Sequence, residues 1–161
     1  MQKEKIIKFL SYDKAFGILT RPALDIEIEK IIIFDCCLID FNNLRKLNHL
    51  IGYNKVNEII FNIFNIFKNK EDCIIGRWFS GDECLIIGKN IEAKIALLEN
   101  IAKDNGMTFK IKYYKKIKSL EELEKMIGSY QNIGFEKHSY ISANQKVEKS
   151  NIIPSTKVGG F

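Results

Sequence analysis

The sequence lacks long uncharged apolar segments, and it contains only two prolines among its 161 residues. No segment approaches the ~18 consecutive apolar residues that a membrane helix needs, so the sequence predicts no membrane span and no membrane partner. The start Met-Gln-Lys-Glu-Lys leads into a short apolar patch that Lys8 interrupts, which is not the pattern of a secretion signal. Because no linker-like stretch precedes about residue 143, we expect one domain over 1–144 and a loosely ordered polar tail over 145–161.

The sequence also lacks the cysteine spacing of a metal site, although it contains four cysteines. Cys36 and Cys37 are adjacent, whereas Cys73 and Cys84 are isolated, so there is no Cys-x-x-Cys pair of the kind that binds zinc. We interpret all four as small buried apolar residues in a reducing, cytoplasmic environment. If Cys36 and Cys37 lie in a strand, their side chains point to opposite faces of the sheet.

The excess of positive charge is mild, since 25 Lys and Arg against 20 Asp and Glu give a net charge of +5. Such an excess is compatible with binding a polyphosphate, but it does not indicate a nucleic-acid partner. The basic stretch from Lys110 to Lys118 has few interleaved aromatic residues, which is typical of a solvated face rather than a nucleic-acid surface.

Hydrophobic patterning predicts alternating helices and strands. A helix is expected to begin at Thr20 as N-cap, with Pro22 in its first turn. The nearly continuous apolar run over 30–39 predicts a strand that is buried on both faces at the centre of a sheet. Further expected elements are helices over 42–50, 54–68 and 91–104, a β-hairpin of strands 73–78 and 84–88, a strand over 107–114 and a helix capped by Ser119.

Three carboxylates stand at the ends of the expected strands. Asp40 follows the apolar run, and Asp82 and Glu83 lie in the tight turn of the hairpin. If the hairpin pairs with the apolar strand, these acids converge at one edge of the sheet, where a divalent cation relieves their repulsion. Paired metals on such carboxylates are the machinery of nucleotidyl transfer. The alternative is structural: Asp40 caps the next helix, and Gly81-Asp82 is simply a hairpin turn.

Other polar and aromatic residues near these acids have simpler interpretations. Trp78 and Phe79 precede the turn, and we interpret both as core residues rather than base-stacking groups. His49 is expected to be exposed on a helix. Asp35 lies five residues before Asp40, so on a regular strand it points to the opposite face, and we exclude it from the site.

Five segments, over roughly residues 10–140, resemble the GGDEF domain of diguanylate cyclases. Residues 80–84, Ser-Gly-Asp-Glu-Cys, stand at the position of the Gly-Gly-Asp/Glu-Glu-Phe signature. Residues 39–48 are similar to the Asp-x-Asp-x-Phe-Lys-x-Ile-Asn segment, and Gly52-Tyr53 stands where Gly-His is expected. Residues 16–24 are similar to the early Thr-Gly-Leu-x-Asn-Arg motif, and residues 119–123 fit the late helix.

The resemblance implies the palm-like α/β (α+β) fold of nucleotide cyclases and polymerases, in which helices flank a central, mainly antiparallel sheet. It implies a nucleotidyltransferase that uses Mg²⁺ or Mn²⁺ and makes a cyclic dinucleotide from two nucleoside triphosphates (GTP, ATP or both) as a homodimer. Asp40, Asp82 and Glu83 would be catalytic and would hold the metals together with the carbonyl of Phe41. The substrate-binding positions would be the backbone N–H groups of Asn43 and Leu44, the base contact Asn48, and Arg45, Asn57, Ser80, Gly81 and Lys137.

Departures from the family pattern bear on the base and on activity. Asn57 stands where the family usually has an Asp that accepts two hydrogen bonds from guanine, and an amide pairs well with adenine. Ile133 replaces a phosphate-binding Lys, Lys137 stands where Arg is expected, and Arg45 is a candidate to compensate. Two alternatives therefore stay open: a minimal CRISPR-type polymerase that makes cyclic adenylate signals in anti-phage defence, and a catalytically inactive GGDEF-like domain that binds a nucleotide or a partner.

Overall fold

A four-stranded sheet organises the chain, which is seen here in a computed structural model that describes residues 11–79 and 82–132. Along the described chain the elements are α1 Arg21–Glu29, β1 Phe34–Phe41, α2 Leu44–Ile51, α3 Tyr53–Lys70, β2 Ile74–Arg77, β3 Glu83–Ile87, α4 Ile91–Asp104, β4 Phe109–Ile117 and α5 Leu120–Asn132. The predicted alternation of helices and strands is therefore confirmed over these residues. The predicted tail, 145–161, lies outside them.

The strand order is β2-β3-β1-β4, and every neighbouring pair is antiparallel. β1 lies between β3 and β4, and six of its eight residues are buried, as its nearly continuous apolar sequence predicts for a central strand. The hairpin of β2 and β3 pairs with β1 through β3, which confirms the arrangement on which convergence of the acids depends.

Alternation along β1 divides the core into two layers. Cys37, Ile39 and Phe41 belong to a cluster with apolar residues of α3 and α4, whereas Cys36 and Leu38 pack with those of α1 and α5. We call these sides of the sheet the α3/α4 face and the α1/α5 face. The predicted divergence of Cys36 and Cys37 is confirmed, and so is the α+β architecture of an antiparallel sheet flanked by helices.

β1 begins later and ends later than predicted. Ile32 and Ile33 are 87% and 49% exposed, because the chain leaves α1 through a turn in which the N–H of Ile31 donates to the carbonyl of Ile28. Pairing begins only at Phe34 and passes an irregularity between Phe34 and Cys36. Its extension to Phe41 places Asp40 inside the strand rather than after it.

Both predicted helix caps are confirmed. The hydroxyl of Thr20 accepts a hydrogen bond from the N–H of Ala23, at 3.4 Å, where α1 begins. The hydroxyl of Ser119 accepts one from the N–H of Glu122, at 3.0 Å, where α5 begins. These bonds satisfy donors that have no partner within the helix.

The four cysteines carry free thiols. Cys36, Cys37 and Cys84 are buried as expected, and burial raises the pKa of each thiol. Cys73 differs, because it is partly exposed at the start of β2, and burial raises the pKa of its thiol to about 11. The prediction of complete burial is wrong for Cys73.

In the described part of the chain, no helix has both the length and the apolar character to cross a membrane.

Candidate active site

Asp40 and Glu83 lie directly opposite each other in the β1–β3 pairing. Opposed residues of antiparallel strands share one face of the sheet, with Cβ atoms about 5 Å apart. Cys36, Leu38 and Asp40 are spaced two residues apart along β1, so their side chains lie on the same face of the sheet. The carboxylates of Asp40 and Glu83 therefore project on the α1/α5 face. Asp82, half-buried in the turn, precedes Glu83 directly. The expected convergence of strand-end acids is thus observed for Asp40 and Glu83, with Asp82 adjacent in sequence.

The negative charges of Asp40 and Glu83 both affect the pKa of Cys84. Burial raises the pKa of the Cys84 thiol, the guanidinium of Arg77 opposes this rise, and the negative charges of Asp40 and Glu83 add to it. Two carboxylates so close to each other repel, and a cation or a hydrogen-bond donor nearby lowers that cost.

Aromatic packing on the opposite side of the sheet fixes the end of β1. The ring of Phe41 meets those of Phe16, Phe64 and Phe109 at centroid distances of 6.5, 5.9 and 5.7 Å. Edge-to-face contacts of this kind favour one orientation of the rings. Phe41 therefore anchors the backbone next to Asp40, and its own carbonyl lies at the same strand end.

A lysine lies on the other side of Asp40. Lys110 of β4 opposes Asp40 across the β1–β4 pairing, so Glu83, Asp40 and Lys110 form one row across three strands on the α1/α5 face. We call these three residues the charged row. Just after β1, Asn42 makes two hydrogen bonds to Thr108, which precedes β4. The backbone N–H of Asn42 donates to the carbonyl of Thr108 at 2.9 Å, and the side-chain amide of Asn42 donates to the hydroxyl of Thr108 at 2.8 Å.

Arg21 positions the strand that leads into the acidic turn. Its guanidinium lies 3.8 Å from the centre of the Trp78 ring and donates to the Trp78 carbonyl at 3.1 Å. It also pairs with Asp25 and with Glu124 of α5, each at 2.6 Å. The N–H of Trp78 donates to the carbonyl of Glu83 at 2.9 Å and so closes the neck of the hairpin. Arg21 thus connects α1 and α5 with the residues that flank Asp82 and Glu83.

Trp78 and Phe79 have different environments. Trp78 is 4% exposed and packs in the α1/α5 core, as predicted, but Phe79 is 69% exposed. The prediction that Phe79 is a core residue is wrong, because β2 ends at Arg77 and the turn carries Phe79 outward. His49 is exposed, as expected. Asp35 accepts a hydrogen bond from the N–H of Lys116 at 2.8 Å, at the end of β1 far from Asp40.

The helical hairpin of α2 and α3 places two asparagine amides on neighbouring helices. Asn48 lies four residues before Gly52, where α2 ends, and Asn57 lies five residues after it. Both side chains are partly exposed, yet Oδ1 of Asn48 is buried without a hydrogen-bond partner among the described residues. A buried acceptor without a donor costs free energy.

Asn43 and Leu44, whose backbone N–H groups are predicted to bind phosphate, lie at the start of α2. Asn43 is the N-cap, with a left-handed φ of 60°, and its side chain makes no capping hydrogen bond. The structural interpretation of Asp40 as a helix cap is therefore wrong, since Asp40 is a strand residue and Asn43 precedes the helix. Leu44 is buried, and Arg45 is exposed on the first turn. The predicted contacts Ser80, Gly81 and Lys137, as well as Ile133, lie outside the described residues.

The donors at this strand end fit Mg²⁺ better than a metal that needs a complete protein cage. Within 11–79 and 82–132, no three His, Cys, Asp or Glu side chains form a group that could hold a metal ion. Mg²⁺ keeps several waters and is commonly held by one or two carboxylates plus substrate phosphates. The opposed carboxylates of Asp40 and Glu83 supply that minimal set.

The sequence does not indicate that Arg21 and Lys110 lie near these acids. Arg21 is only part of the early motif, and Lys110 is exposed, as predicted for a solvated basic face. The period of two in β4 places Lys110 and Lys112 on one face, but only the strand register shows that this face also carries Asp40.

Comparisons with solved structures identify the fold. A microbial GGDEF domain studied with cyclic di-GMP is 16% identical, with a TM-score of 0.63, over 80% of this chain and 92% of that one. The GGDEF domain of FimX from Pseudomonas aeruginosa is 15% identical, with a TM-score of 0.57, over 82% and 98%. Vibrio cholerae LapD, an S helix-GGDEF-EAL chain bound to c-di-GMP, is 14% identical, with a TM-score of 0.63, over 91% and 40%.

No protein-family model and no curated protein matches the sequence. The structural neighbours are GGDEF domains, and at these identities the likeness concerns the fold. The fold that the motif resemblance implied is thereby confirmed.

Proposed function

We propose that the protein is a metal-dependent nucleotidyltransferase that joins two nucleoside triphosphates into a cyclic dinucleotide, acting as a homodimer. The observation that carries this proposal is the opposition of Asp40 and Glu83 at the end of a central strand, directly beside Asp82. Facing carboxylates repel each other, and a divalent cation bound between them would relieve that repulsion.

The reaction consists of two equivalent transfers. In each, the 3′-oxygen of one nucleotide forms a bond to the α-phosphorus of the other, the bond from that phosphorus to the β-phosphate bridging oxygen breaks, and pyrophosphate leaves. The proton of the 3′-hydroxyl passes to solvent, with Glu83 placed to assist. Two transfers close the ring and release two pyrophosphates, and a face-to-face pair of protomers brings the two nucleotides together.

The described residues divide this work. Asp40 and Glu83, with the carbonyl of Phe41 and with Asp82, would hold Mg²⁺ or Mn²⁺. The bound cation would neutralise the leaving pyrophosphate and lower the pKa of the attacking hydroxyl. The N–H groups at the start of α2 would face the phosphates, since a helix N-terminus favours negative charge.

The base would lie between α2 and α3, where the partly exposed side chains of Asn48 and Asn57 would contact it. The amide of Asn57 offers one donor and one acceptor, which suits adenine, whereas guanine presents two adjacent donors. The products to distinguish are therefore cyclic di-GMP, a mixed dinucleotide and an adenine-only product. An adenine product would favour the minimal-polymerase alternative.

The test is a turnover assay on the full chain with ATP and GTP, singly and mixed, in Mg²⁺ and then in Mn²⁺. Mass spectrometry and sensitivity to nuclease P1 identify the product, and released pyrophosphate is counted in parallel. We expect one cyclic product per two pyrophosphates. Asp82→Ala is expected to abolish turnover with an unchanged melting temperature, whereas the exposed Asp104→Ala on α4 leaves turnover unchanged.

A second candidate is a catalytically inactive domain that binds a nucleotide or a partner protein. One observation favours it: among the described residues no trio of metal-binding side chains is assembled. This candidate predicts that the protein binds a nucleoside triphosphate and releases no pyrophosphate in either metal. Residual turnover in Asp82→Ala would instead contradict the metal assignment.

A further inference from the structure

We propose that Lys110 is a substrate-binding residue that contacts the triphosphate of the bound nucleotide. The inference rests on the proposed function, because it assigns a nucleoside triphosphate to the acidic site. It adds a cationic contact from β4, a strand whose lysines the sequence pattern assigns to solvent.

The strand register places Lys110 at the site. β4 pairs with β1 so that Lys110 opposes Asp40, and β3 pairs with β1 so that Glu83 opposes Asp40 from the other side. Side chains at directly opposed antiparallel positions share a face and lie about 5 Å apart at Cβ. The Lys110 side chain therefore begins next to Asp40 on the face that carries both carboxylates.

The position of Lys110 leaves its ammonium group accessible to a ligand. Lys110 is exposed, while Asp40 and Glu83 are half-buried. Lys112 lies two residues further along β4 on the same face, opposite Leu38. Both lysines lie on the β4 side of Asp40, whereas Trp78 and Arg21 lie near the β2–β3 hairpin on its other side.

A triphosphate is the ligand that matches this mixture of charges. Its negative oxygens need cations on more than one side, and carboxylates alone repel them. A divalent cation between carboxylates and phosphates satisfies one side, and an ammonium group beside Asp40 satisfies another. A flexible lysine suits this role, because it binds phosphate as a point charge without demanding one fixed geometry.

Lys115 provides a matched contrast on the same strand. It pairs with Glu92 at 2.5 Å, and Glu92 belongs to α4, which packs on the other face of the sheet. Replacing either lysine by alanine removes one positive charge from β4. Only Lys110 lies in the charged row, so a local contact and a general loss of charge can be separated.

The experiment measures binding rather than turnover. The full chain is titrated with α,β-methylene analogues of ATP and GTP in Mg²⁺, and with AMP and GMP, in wild type, Lys110→Ala, Lys110→Arg and Lys115→Ala. We expect Lys110→Ala to weaken triphosphate binding about tenfold, as loss of a charge-assisted hydrogen bond does. Monophosphate binding should change less than about twofold, Lys110→Arg should retain most affinity, and Lys115→Ala should bind like wild type.

Two results on a folded variant would overturn the inference. One is equal affinity of wild type and Lys110→Ala for the triphosphate analogues. The other is tighter Mg²⁺ binding by Lys110→Ala without loss of triphosphate affinity, which would make Lys110 a counter-ion of Asp40. A wild type that binds the analogues but makes no product would contradict the proposed function and leave the Lys110 result standing, whereas one that binds no analogue would overturn both.

Discussion

Two rows of side chains cross β3, β1 and β4 on the same face of the sheet. One row consists of Ile87, Cys36 and Tyr114, and the other is the charged row of Glu83, Asp40 and Lys110. They lie about 13 Å apart, four residues along β1. All three residues of the first row, which we call the apolar row, are buried, whereas those of the charged row are half-buried or exposed.

The two rows differ in what they contribute to the stability of the fold. The backbone pairing is the same in both rows, so the strands themselves do not require carboxylates. Burial of the apolar row stabilises the fold in proportion to the area removed from water. The charged row removes little apolar area and places two negative charges and one positive charge beside one another, so its burial contributes little to the stability of the fold.

The largest effect is expected in the charged row. Asp40→Asn preserves shape but removes one of the two opposed negative charges, so product formation should fall at least about a hundredfold, as loss of one group that stabilises transition-state charge does. The free energy of unfolding should change by less than ~1 kcal/mol. Pyrophosphate release measures product formation, and urea unfolding measures the free energy of unfolding. An Asp40→Asn variant that is strongly destabilised but retains turnover would show that Asp40 serves the fold rather than the reaction.

The reverse pattern is expected in the apolar row. Ile87→Ala leaves a cavity beside Cys36 and should reduce the free energy of unfolding by about 2–4 kcal/mol. Turnover per folded molecule should remain within about twofold of wild type, because the change lies about 13 Å from Asp40. Activity is measured at a temperature where the variant is folded, and loss of turnover there would show that the two rows are coupled.

Arg21 is predicted to affect both properties, since it connects helices with the neck of the acidic turn. Arg21→Ala loses the stacking on Trp78 and the bond to its carbonyl, and should destabilise the fold by about 1–2 kcal/mol. Turnover should fall while analogue binding changes little, because the turn loses position rather than charge. Arg21→Lys should not restore either property, since an ammonium group cannot stack and bond simultaneously in this geometry.

The smallest effect is a pH dependence at the edge of the apolar core. Burial raises the pKa of Cys73 to about 11, so its alkylation should be slow at pH 8 and should accelerate toward pH 11. The unfolded chain loses this proton first, so stability due to this thiol is present below its ordinary pKa and declines as the pH rises toward about 11. Peptide mass spectrometry follows the modification, and rapid labelling of native protein at pH 8 would contradict the assignment.

Much of the fold follows from local pattern. The apolar run identifies β1 as a central strand, and Thr20 and Ser119 mark two helix starts, because caps and periodicity act over a few residues. Boundaries are less predictable: Ile32 and Ile33 resemble strand residues, yet the turn after α1 keeps them out of the sheet. Phe79 likewise resembles Trp78 in sequence, and only the end of β2 separates their environments.

The site is predictable where chemistry is local and not where it depends on register. The carboxylates of Asp40, Asp82 and Glu83 can be recognised from the sequence, because a carboxylate at the end of an apolar strand is costly unless a partner group compensates its charge. Lys110 does not stand out, since it is one of several lysines in the stretch from residue 110 to residue 118 and Asp40 is seventy residues away. The contacts of Arg21 with Trp78 and Glu124 are similarly distant in sequence.

The most direct test of the account locates a bound metal–triphosphate complex on the two rows. Backbone amide signals of the full chain are recorded by NMR with Mn²⁺ and α,β-methylene ATP or GTP, because paramagnetic Mn²⁺ broadens nearby signals. As Mn²⁺ is added in substoichiometric steps, the signals of Asp40, Glu83 and Lys110 should broaden first, and those of Cys36, Ile87 and Tyr114, about 13 Å further along the strands, should broaden later and less. Equal broadening of both rows, or broadening at neither, would contradict the claim that the charged row binds the substrate.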